Sequence, residues 1–277
     1  MEYTRDAICG IVAAQKEYFS SGETLDTGFR RNALLKLREA VISHEAALTL
    51  ALGKDLSRAP HEAYLTDIGP LLTEIGEALK GLKKWARPET RFSGMACFPS
   101  LITKVYKMPY GTCLIISPFN FPVLLSLSVL AASISGGNTA VLKLSSKSPR
   151  STETVKELIS ETFPEEYVKA LDGGHDTADI CLSQRFDKIF YTGSPRVGRH
   201  VLEMAAGNLT PVGLELGGEN GNWCVIRKDA DLKDAARKIA FFKAANSGQI
   251  CININQIAVA EEVAEEFIAG LKAAFVS

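Results

Sequence analysis

The chain lacks paired cysteines, an excess of either charge, and any long uncharged apolar run. Its six cysteines, at 9, 97, 113, 181, 224 and 251, form no Cys-x-x-Cys pair and have no histidine at metal-ligand spacing. That argues against a zinc or disulfide framework and reads as a set of reduced thiols. With 31 basic and 32 acidic residues, the formal net charge is -1, so no global field draws the protein to nucleic acid or an anionic membrane. No apolar run approaches the roughly 20 residues that cross a bilayer. The opening residues, with Glu2 and Asp6 among them, lack the basic-then-apolar order of a signal peptide. A G-x-G-x-x-G fingerprint, an internal repeat and a low-complexity tract are missing as well. These absences point to a cytoplasmic protein whose partner is a small molecule.

What is present is a globular composition: 277 residues, 46% of them hydrophobic, enough to bury one large core or two smaller ones. The first third has helical periodicity. Ile8, Ile11, Val12, Gln15 and Phe19 begin it, and Leu34, Leu37, Val41, Leu48 and Leu52 continue it, with Gly53 a candidate C-cap. A long segment from Glu62 to Trp85 places Ile68, Leu71, Leu72, Ile75, Leu79 and Leu82 on one face. Residues 1–86 are therefore expected to be helices that cover a sheet. Residues 87–109 break into short pieces rich in Pro and aromatics, with Ile102 to Tyr106 alternating, as in a linker or extended arm.

After Gly111 the pattern alternates between strand and helix. Strands are expected over Thr112 to Ser117, Thr139 to Lys143, Tyr167 to Leu171 and Lys188 to Tyr191. Helices are expected over Pro122 to Ser135, Ser151 to Thr162, Thr177 to Ser183 and Pro195 to Ala206. Near-continuous apolar strands joined by helices predict an α/β fold, a Rossmann-like parallel sheet with helices on both faces. Such sheets bind ligands at the carboxyl ends of their strands. Past Gly217-Gly218 a second α/β unit begins, with strands Asn222 to Ile226 and Gln256 to Ala260 and helices Asp231 to Ala245 and Glu261 to Phe275. Two strands and two helices make an incomplete layer, so residues 217–277 are expected to be the start of a second domain, and residues 110–216 the first.

Four stretches place unusual residues at strand ends. Asn120 lies between aromatics in Ser117-Pro118-Phe119-Asn120-Phe121-Pro122, where its amide could act on a ligand or cap the next helix. Lys143 ends a buried strand in Val141-Leu142-Lys143-Leu144-Ser145-Ser146, as a ligand contact or as a snorkelling surface lysine. Thr192-Gly193-Ser194-Pro195 opens a helix whose N-terminal amides could hold phosphate or could form a plain strand-helix turn. Glu215, between leucines, would be costly to bury unless it forms a salt bridge or acts as a base. It is joined by Asn246-Ser247-Gly248-Gln249-Ile250-Cys251, a turn that could expose a thiol or pack it.

Taken in this order with these neighbours, the four stretches resemble the aldehyde dehydrogenase superfamily from about Arg30 to the end. The class 3 and fatty-aldehyde branch is most similar, given the segment Trp85 to Glu89, the run Tyr191 to Gly198, and Leu209-Thr210-Pro211 ahead of Leu214-Glu215-Leu216-Gly217-Gly218. The resemblance implies that Cys251 attacks an aldehyde, that Asn120 and the Cys251 amide hold the oxyanion, and that Glu215 activates water to give a carboxylic acid. NAD or NADP would be held by Lys143, Ser146, Gly193, Ser194 and Gly198, with Phe119 and Leu216 beside it.

Three departures accompany the likeness. Relatives usually read Lys-Pro-Ser-Glu where this chain has Lys143-Leu144-Ser145-Ser146. The loss of that Glu predicts that NADP is at least tolerated. Gly-Gly-Lys-Ser-Pro becomes Gly217-Gly218-Glu219-Asn220-Gly221, and Pro-Asp becomes Ile254-Asn255. The family's further segments, a Glu-Glu-x-Phe-Gly-Pro stretch, the aldehyde tunnel and a strand that pairs with a second subunit, have no counterpart here. The chain is thus expected to be an amino-terminal piece, and dimers or tetramers are usual in the family. Two other readings stay open: an acyl reductase of the same superfamily, disfavoured by Glu215, and an inactive homologue that binds only dinucleotide or a partner.

Overall fold

The computed structural model describes residues 3–218 and 222–276. By their contacts, these divide into two compact units, residues 1–192 with 200–214 and residues 193–199 with 215–277. The chain opens with α1 (Arg5–Ser20), α2 (Thr27–Ser43), α3 (Glu45–Leu56) and α4 (Pro60–Ala63), and α4 runs through a π-helical turn (Tyr64–Ile68) into α5 (Gly69–Trp85). Strands β1 (Glu89–Phe92) and β2 (Ile102–Val105) pair antiparallel as a separate hairpin. Then follow β3 (Thr112–Ile116), α6 (Leu124–Gly136), β4 (Thr139–Lys143), α7 (Pro149–Thr162), β5 (Val168–Leu171) and α8 (His175–Leu182). They lead on to β6 (Lys188–Gly193), α9 (Pro195–Ala206), β7 (Val212–Leu216), β8 (Trp223–Ile226), α10 (Leu232–Ala244), β9 (Gln256–Val259) and α11 (Ala264–Val276).

The first unit is built on a five-stranded parallel sheet of order β5-β4-β3-β6-β7. Every residue of β3 and β4 is buried, because helices cover both faces of a parallel sheet. Leu34, Leu37, Leu48, Leu52, Leu71 and Ile75 from the amino-terminal helices join Ile115, Leu130, Leu142 and Leu158 in one core. The chain enters at β3, builds outward to β5, then returns across β3 to lay down β6. The crevice outside the carboxyl ends of β3 and β6 is therefore the topological switch point, where open α/β sheets hold their ligands. The α/β reading of the sequence holds.

Two local expectations do not. Gly53 does not cap a helix: α3 continues to Leu56 and ends at Ser57 in the left-handed region, φ 56°. Gly53 matters instead for close approach, since a Cβ there would lie 3.3 Å from the Arg58 carbonyl oxygen. The long helix expected from Glu62 is broken by the π turn at Tyr64–Ile68. The extra residue in that turn rotates Asp67 to the inside, where it is fully buried.

In the second unit β8 and β9 form a two-stranded parallel sheet. Ile226, Ala236, Ile239 and Phe267 make its small core, with α10 packed on α11. Trp223, Val225, Phe241, Phe242 and Ile252 are exposed.

Candidate active site

The register of β3, β4 and β6 aligns the candidate residues of the first unit. Ile116 pairs with Lys143 on one side and with Tyr191 on the other, so β3 and β4 end together and β6 runs two residues further, to Gly193. The Ser117 amide still donates to the Lys143 carbonyl at 3.0 Å, after which the chain leaves the sheet through Pro118, Phe119 and half-buried Asn120. The helix start that one local reading gave to Asn120 is bound by Asp67. The first-turn amides of α6, those of Val123 and Leu124, donate to the Asp67 carboxylate at 3.2 and 2.6 Å.

Lys143 does not snorkel. Its residue is only 5% exposed, and its ammonium donates to the Leu144 carbonyl at 2.7 Å. Burial pushes its pKa down, opposed by the neighbouring Cys181 and Asp172. Beside it, at the end of β3, the Ser117 hydroxyl is buried with no hydrogen-bond partner. A desolvated ammonium and an orphaned hydroxyl at the mouth of a parallel sheet fit a polyhydroxyl ligand such as a ribose. Ser146 is exposed in the next turn, and the Lys147 ammonium lies 5.5 Å from the Phe119 ring centroid.

β6 runs into Gly193, and Ser194 caps α9. The Ser194 side chain accepts from the Val197 amide at 3.4 Å, and its carbonyl accepts from the Gly198 amide at 2.9 Å. Gly198 is buried. A capped helix start on a glycine turn is suited to an anionic ligand.

The second unit carries Glu215, Leu216 and Cys251. Glu215 is exposed and Leu216 is 43% exposed, which corrects the expectation of a buried carboxylate: β7 is the edge strand of its sheet, so its last residues are not covered on both faces. Cys251 is half-buried. Its turn is shaped by three successive residues with positive φ, Asn246 (48°), Ser247 (52°) and Gly248 (75°). Asn222 donates through Nδ2 to the Cys251 carbonyl at 2.7 Å. Gly217, two residues after Glu215, lies so close that a Cβ on it would be 2.6 Å from that of Cys251. The end of β7 and the cysteine turn are thus packed together. The altered stretch at Glu219-Asn220-Gly221 lies outside the described residues. Asn255, at the other altered position, donates through its side-chain amide to the Gly218 carbonyl at 3.0 Å.

Sequence reasoning passed over Arg58 and Asp67, a buried ion pair whose arginine also donates to the Asn120 carbonyl at 2.6 Å. The one available signal was an arginine followed by an aspartate in a helix-rich region, which by itself describes any solvated surface. Among the described residues, no group of three or more His, Cys, Asp or Glu could hold a metal. No helix of the described residues is long and apolar enough to cross a membrane.

Comparison with known proteins places this geometry. The model of the aldehyde dehydrogenase family matches residues 2–277. The 4,4'-diaponeurosporen-aldehyde dehydrogenase of Staphylococcus aureus is 38% identical over 258 residues, 92% of this chain and 55% of that protein. Aldehyde dehydrogenase family 3 member I1, chloroplastic, of Arabidopsis thaliana is 36% identical, over 95% of this chain and 47% of its own length. A substrate-bound structure of Staphylococcus aureus AldH superposes with a TM-score of 0.92 at 36% identity, covering 99% of this chain and 58% of that one. The NAD+ complex of a Staphylococcus aureus betaine aldehyde dehydrogenase gives 0.88 at 25% identity, covering 98% and 53%. The chain spans about half the length of the curated relatives it matches. With the family model matching residues 2–277 and the fold superposing on these enzymes over nearly its whole length, the chain belongs to the aldehyde dehydrogenase family.

Proposed function

We propose that the protein oxidises an aldehyde to a carboxylic acid with NAD+ or NADP+, using Cys251 as nucleophile. The observation that carries this reading is the Cys251 turn: a half-buried thiol, set by three residues of positive φ and packed against the glycine that follows Glu215-Leu216. The Cys251 thiolate adds to the aldehyde carbon and the carbonyl oxygen becomes an oxyanion, which the Asn120 side-chain amide and the Cys251 backbone N–H stabilise. NAD+ or NADP+, held by the residues named below, would supply the acceptor for the hydride that leaves that carbon. As hydride departs, the carbonyl re-forms and a thioester on Cys251 remains. Glu215 takes a proton from water, the hydroxide adds to the thioester, and the carbon–sulfur bond breaks to return the thiolate. The exposure of Glu215 suits a base that must meet solvent water. A carboxylate in this role favours acid formation over acyl reduction.

Lys143 and the unpartnered Ser117 hydroxyl would hold the adenosine ribose, and Gly193, Ser194 and Gly198 the pyrophosphate, with Phe119 and Leu216 flanking the dinucleotide. Ser146 removes a negative charge from the ribose side and so admits a 2'-phosphate. In this scheme residues 110–216 bind the dinucleotide, residues 217–277 belong to the catalytic domain, and residues 87–109, with exposed Phe92, Phe98 and Ile102, are an arm for a second copy. Formation of reduced dinucleotide from a medium-chain aliphatic aldehyde, compared between the protein and Cys251→Ala, tests the reading. Loss of at least about a thousandfold is expected; retention within about tenfold contradicts it.

A second reading, binding of dinucleotide without turnover, is favoured by the exposed Trp223, Val225, Phe241, Phe242 and Ile252 of the second unit, which leave its apolar faces uncovered. Dinucleotide binding with no reduced product from any aldehyde would support that reading.

A further inference from the structure

We infer that Arg58 and Asp67 are positioning residues for Asn120, an inference that rests on Asn120 as the oxyanion donor. The two side chains form an ion pair with relative exposures of 1% and 0%. Taking two charges out of water is costly, and a well-packed apolar pair of similar volume is often as stable. Stability alone therefore does not account for the pair. Its further bonds do: both residues reach the short stretch that carries Asn120.

Asp67 Oδ1 accepts from the amides of Val123 and Leu124 at 3.2 and 2.6 Å, while Arg58 Nη2 donates to the Asn120 carbonyl at 2.6 Å. The guanidinium also stands 4.9 Å from the Phe121 ring centroid. Peptide groups on both sides of Phe121-Pro122 are thus tied to one rigid, charged fork. Two backbone irregularities aim it. The left-handed Ser57, with the space left by Gly53, turns Arg58 inward, and the π turn does the same for Asp67. Burial pushes the Asp67 carboxyl up, opposed by Arg58 and the two amides.

An oxyanion donor works only when it is already in place as charge develops. Asn120 follows Phe119 in a loop leaving the sheet. The pair ties that loop to the turn that follows α3 and to the π turn. Lysine at position 58 could keep the ion pair but could not also reach the Asn120 carbonyl, because it has no second donor held at a fixed angle.

The test uses Arg58→Lys, the apolar double variant Arg58→Met with Asp67→Leu, and Asn120→Ala, all in the full chain. Hydrogen exchange of the peptide covering residues 119–126 reads the loop. The ratio of Cys251 acylation by p-nitrophenyl acetate to its alkylation by iodoacetamide reads the oxyanion site, since only acylation builds an oxyanion. In Arg58→Lys and in the double variant, exchange is expected to rise about tenfold or more and the ratio to fall about tenfold or more. In the double variant the midpoint of thermal unfolding stays within a few degrees of the parent's. Unchanged exchange in Arg58→Lys and in the double variant overturns the positioning claim. Raised exchange with an unchanged ratio, while Asn120→Ala lowers the ratio, makes the pair structural only and also overturns it. An unchanged ratio in Asn120→Ala overturns the reading of Asn120 as donor, whatever the exchange data say of the pair.

Discussion

Gly217 and Cys251 are packed without room for a methyl group between them. A Cβ on Gly217 would stand 2.6 Å from the Cys251 Cβ, 2.9 Å from its carbonyl oxygen and 3.0 Å from its Cα. Backbone atoms are two of the three neighbours, so a rotamer change cannot relieve the clash. Gly217→Ala must displace the cysteine turn, at a cost of about 1–3 kcal/mol. Alkylation of Cys251, followed by peptide mass spectrometry, is expected to change at least about fivefold in rate, with other cysteines unaffected. An unchanged rate would mean that the turn adapts freely.

The cysteines differ in environment, and the difference is measurable. Burial pushes the Cys113 and Cys181 thiols up to about 12, opposed at Cys113 by the nearby Ser133 hydroxyl and at Cys181 by Lys143. Near pH 8 only about one such thiol in ten thousand is ionised. Iodoacetamide should label exposed Cys9 and Cys97 and half-buried Cys251, and leave Cys113 and Cys181 intact until the chain unfolds. Labelling of Cys181 in the folded protein would contradict its packing.

With the proposed cofactor role, Lys143 would tie a loss of stability to a gain in binding. Its folded pKa is depressed by burial below the ordinary 10.5. Between the depressed value and 10.5 the unfolded chain binds more protons than the folded one, so the stability contributed here rises with pH across that window. The cost of the buried charge is fully present below the window and gone above it. Lys143→Met should therefore be at least as stable as the parent at neutral pH, with the difference shrinking as pH rises through the window. The same variant should bind dinucleotide at least about tenfold more weakly. Urea melts at several pH values and a fluorescence titration measure both; a variant that loses stability at neutral pH while binding normally would refute this account.

Ser146 sits exposed where the family resemblance leads one to expect an acid. Ser146→Glu restores the negative charge and should shift the ratio of NADP to NAD affinity toward NAD by about tenfold or more. Equal affinities before and after the change would remove Ser146 from the cofactor's surroundings.

The strands were legible because burial on both faces writes itself into composition. Thr139–Lys143 and Pro195–Ala206 were expected at the boundaries observed, the first from a continuous apolar run and the second from a proline at its first position. What periodicity does not carry is which polar residue is turned inward. Asp67 lies on an apparently regular helical stretch, and only the π turn takes it off the solvent face. Arg58 follows a helix that Gly53 was expected to end, and its burial depends on a left-handed serine that no local pattern marks. Glu215 erred the other way: flanking leucines suggested burial, but the order of strands in the sheet, a non-local property, puts β7 at the edge. Residue types at strand ends pointed to the candidate chemistry. The groups proposed to hold Asn120 come from the turn after α3 and from the π turn, some sixty residues earlier in the chain.

The central claim is a covalent bond between substrate carbon and the Cys251 sulfur. On the proposed mechanism Glu215→Gln loses the base but keeps the nucleophile, so the thioester should form and persist. The variant is mixed with NAD+ and an aliphatic aldehyde, quenched in acid, digested and weighed by mass spectrometry. An acyl group on the peptide containing Cys251, together with about one equivalent of reduced dinucleotide per modified chain, is the predicted result. Reduced dinucleotide formed with no acyl group on Cys251, or an acyl group on a different cysteine, would contradict it.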